Sequence, residues 1–190
     1  MAIYTIFMVS ERPDFISPSW QNPLVGHEGK GVLDIIREMS GEEWVTADEN
    51  IVRYYVRMIQ AANKTISVAC SSSSVVLVDG EILDDLEEQL KQGVNVEIVF
   101  DDEKDLPGQD SRLAGLKQQH GNKLRLFRIN GRARLQFMVV DGQDILIEEP
   151  DHVGNRNYEA VIINKDTKLG KEWQGKFESA RDKFGQELLV

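Results

Sequence analysis

The chain predicts an α/β domain: a mixed β-sheet flanked by helices. Three observations carry that expectation. Short β-rich apolar runs alternate with amphipathic segments whose apolar residues recur at helical spacing. Four strand-like runs then follow one another between residues 124 and 163, too close together for helical crossovers, so part of the sheet is antiparallel. Finally, 190 residues with 41% hydrophobic and 28% charged side chains are enough for one sizeable core without a metal or disulfide staple.

In chain order, residues 2–9 (Ala-Ile-Tyr-Thr-Ile-Phe-Met-Val) read as a strand. Residues 10–31 hold three of the five prolines and Trp20, and read as a long irregular loop. Within it, Gly26-His27-Glu28-Gly29-Lys30-Gly31 lacks the spacing of a phosphate loop, because Leu24 stands where a glycine is required and no Ser or Thr follows Lys30. Residues 32–39 predict a short helix. The first 47 residues are therefore expected to form an N-terminal strand, long loop and short helix packed on a main domain of residues 48–190.

Glu43-Trp44-Val45-Thr46 is a short strand candidate, and Thr46-Ala47-Asp48-Glu49 has the form of a capping box. The helix it opens carries Ile51, Val52, Tyr55, Val56 and Ile59 on one face and is expected to end near Asn63. Thr65–Cys70 predicts a buried strand, and Ser71–Ser74 a polar break. Val75–Val78 reads as a short strand or a helix entry. Glu81–Gln92 has an apolar stripe of Ile82, Leu83, Leu86 and Leu90, stopped by Gly93. Val94–Phe100 is rich in β-branched residues and predicts a strand buried on both faces. The acids Asp101, Asp102, Glu103 and Asp105 lack the spacing of a calcium loop and read as a solvated connection. A helix over residues 111–120, strands over 124–129 and 132–140, a hairpin partner over 144–147, and a strand over 158–163 follow. The last helix places Leu169, Trp173, Phe177 and Phe184 on one stripe.

Charge and composition narrow the function. A formal net charge of −10 weighs against a broad nucleic-acid or anionic-membrane surface, since both need a positive field. Lys123, Arg125, Arg128, Arg132 and Arg134 form one local basic cluster, read as a solvated strand edge before an anion site. The lone cysteine, Cys70, has no disulfide partner and reads as a small buried hydrophobe. No His or Cys spacing indicates a metal, no cofactor motif is present, and no run of about 20 apolar residues would span a membrane. The first residues lack a basic segment before an apolar run, so a cytoplasmic setting is expected.

Arg134-Leu135-Gln136-Phe137-Met138-Val139-Val140-Asp141-Gly142 carries the most specific resemblance. Its form is similar to the signature strand of the phospholipase D superfamily. There a His, a Lys two residues on and an Asp five further on build a phosphodiester site. Here those places hold Arg134, Gln136 and Asp141. The surrounding order also resembles one phospholipase D-like repeat, over about 135 residues. It includes Met58-Ile-Gln-Ala-Ala-Asn-Lys-Thr-Ile-Ser67, Leu90-Lys-Gln-Gly-Val-Asn-Val-Glu-Ile-Val99, Glu159-Ala-Val-Ile-Ile163 and a last helix with Phe177-Glu178.

The resemblance implies a phospholipase D-like layered fold and argues against its activity. In active members the His attacks phosphorus, a second His protonates the leaving oxygen, Lys and Asn hold the nonbridging oxygens, and the Asp orients the imidazole. Arg134 stays protonated and is no nucleophile, and Gln136 carries no charge. The family's Gly-Ser-x-Asn falls on Glu148-Glu149-Pro150-Asp151, whose carboxylates repel phosphate.

Similar non-catalytic portions serve effector binding in the sugar-responsive archaeal transcription regulators (TrmB-like). The chain shows no helix-turn-helix at its start. Active members bring two repeats together, so a single repeat is expected to form a homodimer with one isologous interface. The leading expectation is a non-catalytic regulatory, sensor or ligand-binding homodimer. Its candidate cleft lining is Arg134, Gln136, Asp141, Glu148, Glu149 and Asn155. Arg134 is expected to hold an anionic group or to pair with Glu148 or Glu149. For Asp141 the plainer reading is turn chemistry with Gly142. One alternative is a phosphodiesterase with a rewired site, in which His152 would take over as nucleophile. The other is a protein-interaction module using loop 10–31 and Trp20.

Overall fold

A computed structural model describes residues 44–46, 48–70, 74, 77, 79–101, 112–129, 136–148, 159–163 and 165–188. The expected strand at 2–9, loop 10–31, helix 32–39, acidic connection 102–105, and the candidates Arg134, Glu149, His152 and Asn155 lie outside these residues.

The described elements are β1 (Trp44–Thr46), α1 (Asp48–Gln60), β2 (Thr65–Cys70), α2 (Gly80–Gln92), β3 (Asn95–Asp101), α3 (Arg112–His120) with a 3-10 turn (Gly121–Lys123), β4 (Leu124–Ile129), β5 (Gln136–Val140), β6 (Asp144–Glu148), β7 (Glu159–Ile163), α4 (Thr167–Phe184) and β8 (Gly185–Glu187). They form one mixed eight-stranded sheet in the order β1-β7-β6-β5-β2-β3-β4-β8. The β2, β3 and β4 strands are parallel and are linked through helices, as parallel strands require. All other pairings are antiparallel.

Strand periodicity divides the core between the two sheet faces. On one face Ile66, Val68, Cys70, Val96, Ile98, Phe100, Met138, Val140 and Leu146 pack under α1, α2 and α3. On the other, Ala69, Val99, Phe127, Phe137, Val139, Ile145 and Ile147 pack under α4. The apolar stripe expected for α1 buries Ile51, Tyr55, Val56 and Ile59, and Met58 joins them, but the helix ends at Gln60, short of Asn63. Helix α2 stops where the sequence predicts: the Gly93 backbone sits at φ 98°, and its N–H donates to the carbonyls of Gln89 and Leu90. Asp79 caps the other end of α2, accepting from the Glu81 and Ile82 N–H groups.

On α4, Trp173 and Phe177 are buried, and Leu169 and Phe184 flank them. Trp173 stands edge-on to Phe137, with ring centroids 4.9 Å apart at 67°. Gly170 lets this helix approach the β5–β6 turn. A Cβ there would penetrate the Gly142 carbonyl and the Gln143 Cα.

The short edge strand β8 is not expected from the sequence. Gly185-Gln186-Glu187 has neither β-branched residues nor alternation, and its place comes from outside the strand. Glu187 accepts a bidentate pair from Arg125, with Nε at 3.2 Å and Nη2 at 2.8 Å. Arg125 also donates to Glu97 (2.9 Å), and Glu97 accepts from Arg181 (2.6 Å). The basic cluster is thus partly neutralised: Arg125 links β3, β4 and β8.

Candidate functional site

The antiparallel register of β5 against β2 runs from Ala69↔Phe137 to Ile66↔Val140. Gln136 therefore lies at the carboxyl end of β2, and Asp141 lies beyond its amino end. Five residue steps along the strand separate them, about 17 Å at the usual rise. Ligands of open α/β sheets collect at the carboxyl ends of the parallel strands. In this sheet that end carries Cys70, Gln136 and Glu148.

Gln136 and Glu148 are brought together. They are opposite one another in the β5–β6 register, and alternation points both to the α1 face, with Met138 and Leu146. Both are buried, Gln136 at 5% and Glu148 at 3% exposure. The Tyr55 hydroxyl of α1 donates to Glu148 Oε2 at 3.0 Å. Burial pushes the Glu148 carboxyl up to about 7, although the Tyr55 hydrogen bond opposes the shift. Burial and then the Glu148 charge push the Tyr55 hydroxyl well above its ordinary value. Tyr55 is the contributor that the sequence does not single out. Its place on the α1 stripe marks it only as a core position; the available signal is that a buried tyrosine hydroxyl needs a partner.

Asp141 does not join this group. At φ 52° it occupies the left-handed region, followed by Gly142 at φ 66°, so the β5–β6 connection is a turn with two positive-φ residues. Its carboxylate faces the loop between α1 and β2. Oδ1 accepts from the Lys64 N–H (2.8 Å) and the Thr65 N–H (2.9 Å), and Oδ2 accepts from the Asn63 N–H (2.9 Å). The Asp141 N–H donates back to the Thr65 carbonyl at 3.0 Å. Partial burial raises the carboxyl, but the backbone donors of Thr65, Asn63 and Lys64 outweigh it and hold it below its ordinary value. Asp141 clamps the hairpin to the α1–β2 loop. The grouping of Asp141 with Gln136 and Glu148 in one cleft is accordingly corrected: the strand's length puts it at the opposite end of the sheet. The sign that points to the clamp is the polar Asn63-Lys64 loop, whose N–H groups need acceptors.

Among the described residues no group of three or more His, Cys, Asp and Glu side chains could hold a metal ion, and no helix is long and apolar enough to cross a membrane. The described side chains of the site, Gln136, Glu148, Tyr55 and Cys70, present an amide, a carboxyl, a hydroxyl and a thiol. These accept hydrogen bonds readily and offer a phosphodiester no cation.

A family profile described as "Cardiolipin synthase, PLD-like domain" matches residues 55–181, more than half of the chain. The chain belongs to the phospholipase D-like family. Solved structures agree on the fold. The phospholipase D family member Nuc from Salmonella typhimurium superposes with a TM-score of 0.59 at 18% identity, over 78% of this chain and 97% of its own. TrmBL2, described as an archaeal chromatin protein with a novel mode of DNA binding, gives 0.60 at 17% identity, over 90% of this chain and 60% of its own. NucT from Helicobacter pylori gives 0.57 at 14% identity, over 76% of this chain and 100% of its own. At these identities the likeness concerns the fold. No curated protein matches the chain significantly. Gln136 and Asp141, which the sequence resemblance set against the signature lysine and aspartate, lie at the start of β5 and just beyond its end.

Proposed function

We propose that this chain is a non-catalytic phospholipase D-like domain that works as a regulatory, ligand-binding homodimer. The observation that carries this reading is Gln136, buried and opposite the buried Glu148, in the place where active members keep a lysine. Phosphoryl transfer needs positive charge around the equatorial oxygens. A carboxyl with one tyrosine donor disfavours that charge distribution and suits a neutral, hydroxyl-rich ligand that both donates and accepts hydrogen bonds. The cleft of the proposal is the carboxyl end of the sheet, with Arg134, Glu149 and Asn155 as its further lining. Its setting is cytoplasmic. The net charge of −10 supports a domain that does not itself grip nucleic acid. The DNA binding named for TrmBL2 belongs to a chain of which this one covers 60%.

Two assays test the proposal's chemistry. A panel of bis(p-nitrophenyl) phosphate, single-stranded DNA and phospholipid vesicles, with and without divalent metal, is expected to show no turnover. Turnover abolished by His152→Ala would overturn the reading in favour of a rewired phosphodiesterase. Thermal shift with millimolar neutral sugars against inorganic phosphate is expected to favour the sugars, and a Gln136-dependent shift with phosphate alone would count against the proposed ligand class. Analytical ultracentrifugation should find a dimer, and a monomer at tens of micromolar would remove the homodimer from the proposal.

A further inference from the structure

Glu148 is the carboxyl at the centre of the site, and it faces no cation among the described residues. On its own strand pair it is opposite Gln136, and on the other side its register neighbour on β7 is Ala160; neither is ionisable. From α1 it meets Tyr55, while Arg53 and Arg57 of that helix are exposed. From β2 the buried Cys70 lies on the same sheet face, close enough to Tyr55 for a negative Cys70 to raise that hydroxyl further. Among the described residues, Val68, Met138, Leu146 and Ile59 belong to the core on the same sheet face. A carboxylate in such a place has exchanged its hydration shell for one hydroxyl donor.

The geometry also says what would yield. The Tyr55–Glu148 hydrogen bond ties the middle of α1 to the end of β6, across 93 residues of sequence. The other end of α1 is held independently, through the Asp141 clamp on the loop that follows it. Among the described residues Tyr55 is the α1 side chain that meets Glu148, so lifting that turn of α1 from the sheet exposes the carboxyl to water.

We propose that Glu148 is a protonation switch for the seating of α1: as the acid it sits in the closed core beneath Tyr55, and as the carboxylate it draws in water and loosens that turn of the helix. The inference stands apart from the ligand reading above. It concerns the helix covering the site and holds whether or not a sugar binds.

The sign follows from the raised carboxyl. The closed state holds the proton up to about pH 7, and an opened state releases it near the ordinary 4.5. Closure is therefore favoured fully below 4.5, and the advantage is lost as pH rises to 7, with no further loss above. Amide hydrogen exchange of α1 in the full chain, corrected for the intrinsic pH dependence, reads this directly. The opening constant for residues around Tyr55 is expected to rise by more than about tenfold between pH 5 and pH 7, then level off. In Glu148→Gln the profile is expected to be flat. Carbon-13 NMR of the Glu148 carboxyl in the unmodified protein supplies an arm that needs no variant: its midpoint should lie near 7 and coincide with the exchange midpoint. A carboxyl midpoint below 5, an exchange profile that leaves the carboxyl midpoint by more than a unit, or an unchanged profile in Glu148→Gln overturns the proposal.

Discussion

Replacing Asp141 by alanine removes the acceptor for three backbone N–H groups at once, those of Asn63, Lys64 and Thr65, at 2.8–2.9 Å. Hydrogen bonds to a charged acceptor contribute about 1.5–3 kcal/mol each when isolated. Here one carboxylate serves all three, and Asn63 and Lys64 are exposed, so water replaces part of what is lost. A total of about 2–4 kcal/mol is expected for Asp141→Ala, including about 1 kcal/mol for alanine at the left-handed φ of 52°. Asp141→Asn tolerates that backbone and keeps one acceptor oxygen, so about 1–2 kcal/mol is expected. Urea unfolding at pH 7 measures both. The pH dependence isolates the charge. Because the folded carboxyl lies below its ordinary 3.8, the stabilisation is present above that value and is lost as pH falls through the folded one. The Asp141→Asn penalty should therefore shrink as the pH falls below 3.8. An Asp141→Ala variant within about 0.5 kcal/mol of the parent at pH 7 would refute the clamp, that margin being typical of a neutral surface change. An Asp141→Asn penalty that stays constant over the same acid range would refute the role of charge.

Other substitutions probe how the layers are held. Gly170→Ala should destabilise by about 3 kcal/mol or more, since the Cβ meets turn backbone that cannot rotate away; a melting temperature within about 2 °C of the parent would mean that the α4 approach is looser than described. Trp173→Ala empties a site that is 1% exposed and removes the edge-on Phe137 contact, so about 3–5 kcal/mol is expected in chemical denaturation. For Arg125 and Glu187, both part-exposed, a double-mutant cycle with Arg125→Met and Glu187→Gln should return about 0.5–1 kcal/mol of coupling, most of it gone in about 1 M salt. Zero coupling at low salt would remove the pair as the anchor of β8.

The elements with strong local periodicity are legible in the sequence alone. The Thr65–Cys70 and Leu124–Ile129 strands fall where β-branched and apolar residues concentrate, and α2 ends at Gly93, whose capping chemistry is local. The signature segment around Gln136 is legible as well, because a strand ending in Asp141-Gly142 needs only its own residues to turn. What the sequence does not show is anything decided across distance. Strand β8 pairs with β4, and Arg125, 62 residues away in sequence, holds Glu187 there. Tyr55 becomes part of the site because register sets Glu148 beneath it, and Asp141 leaves the site because five strand residues carry it to the other end of the sheet. Local patterns repeat every two or 3.6 residues and are written in neighbouring side chains. Which carboxylate is buried, and which finds donors, depends on which strands lie side by side.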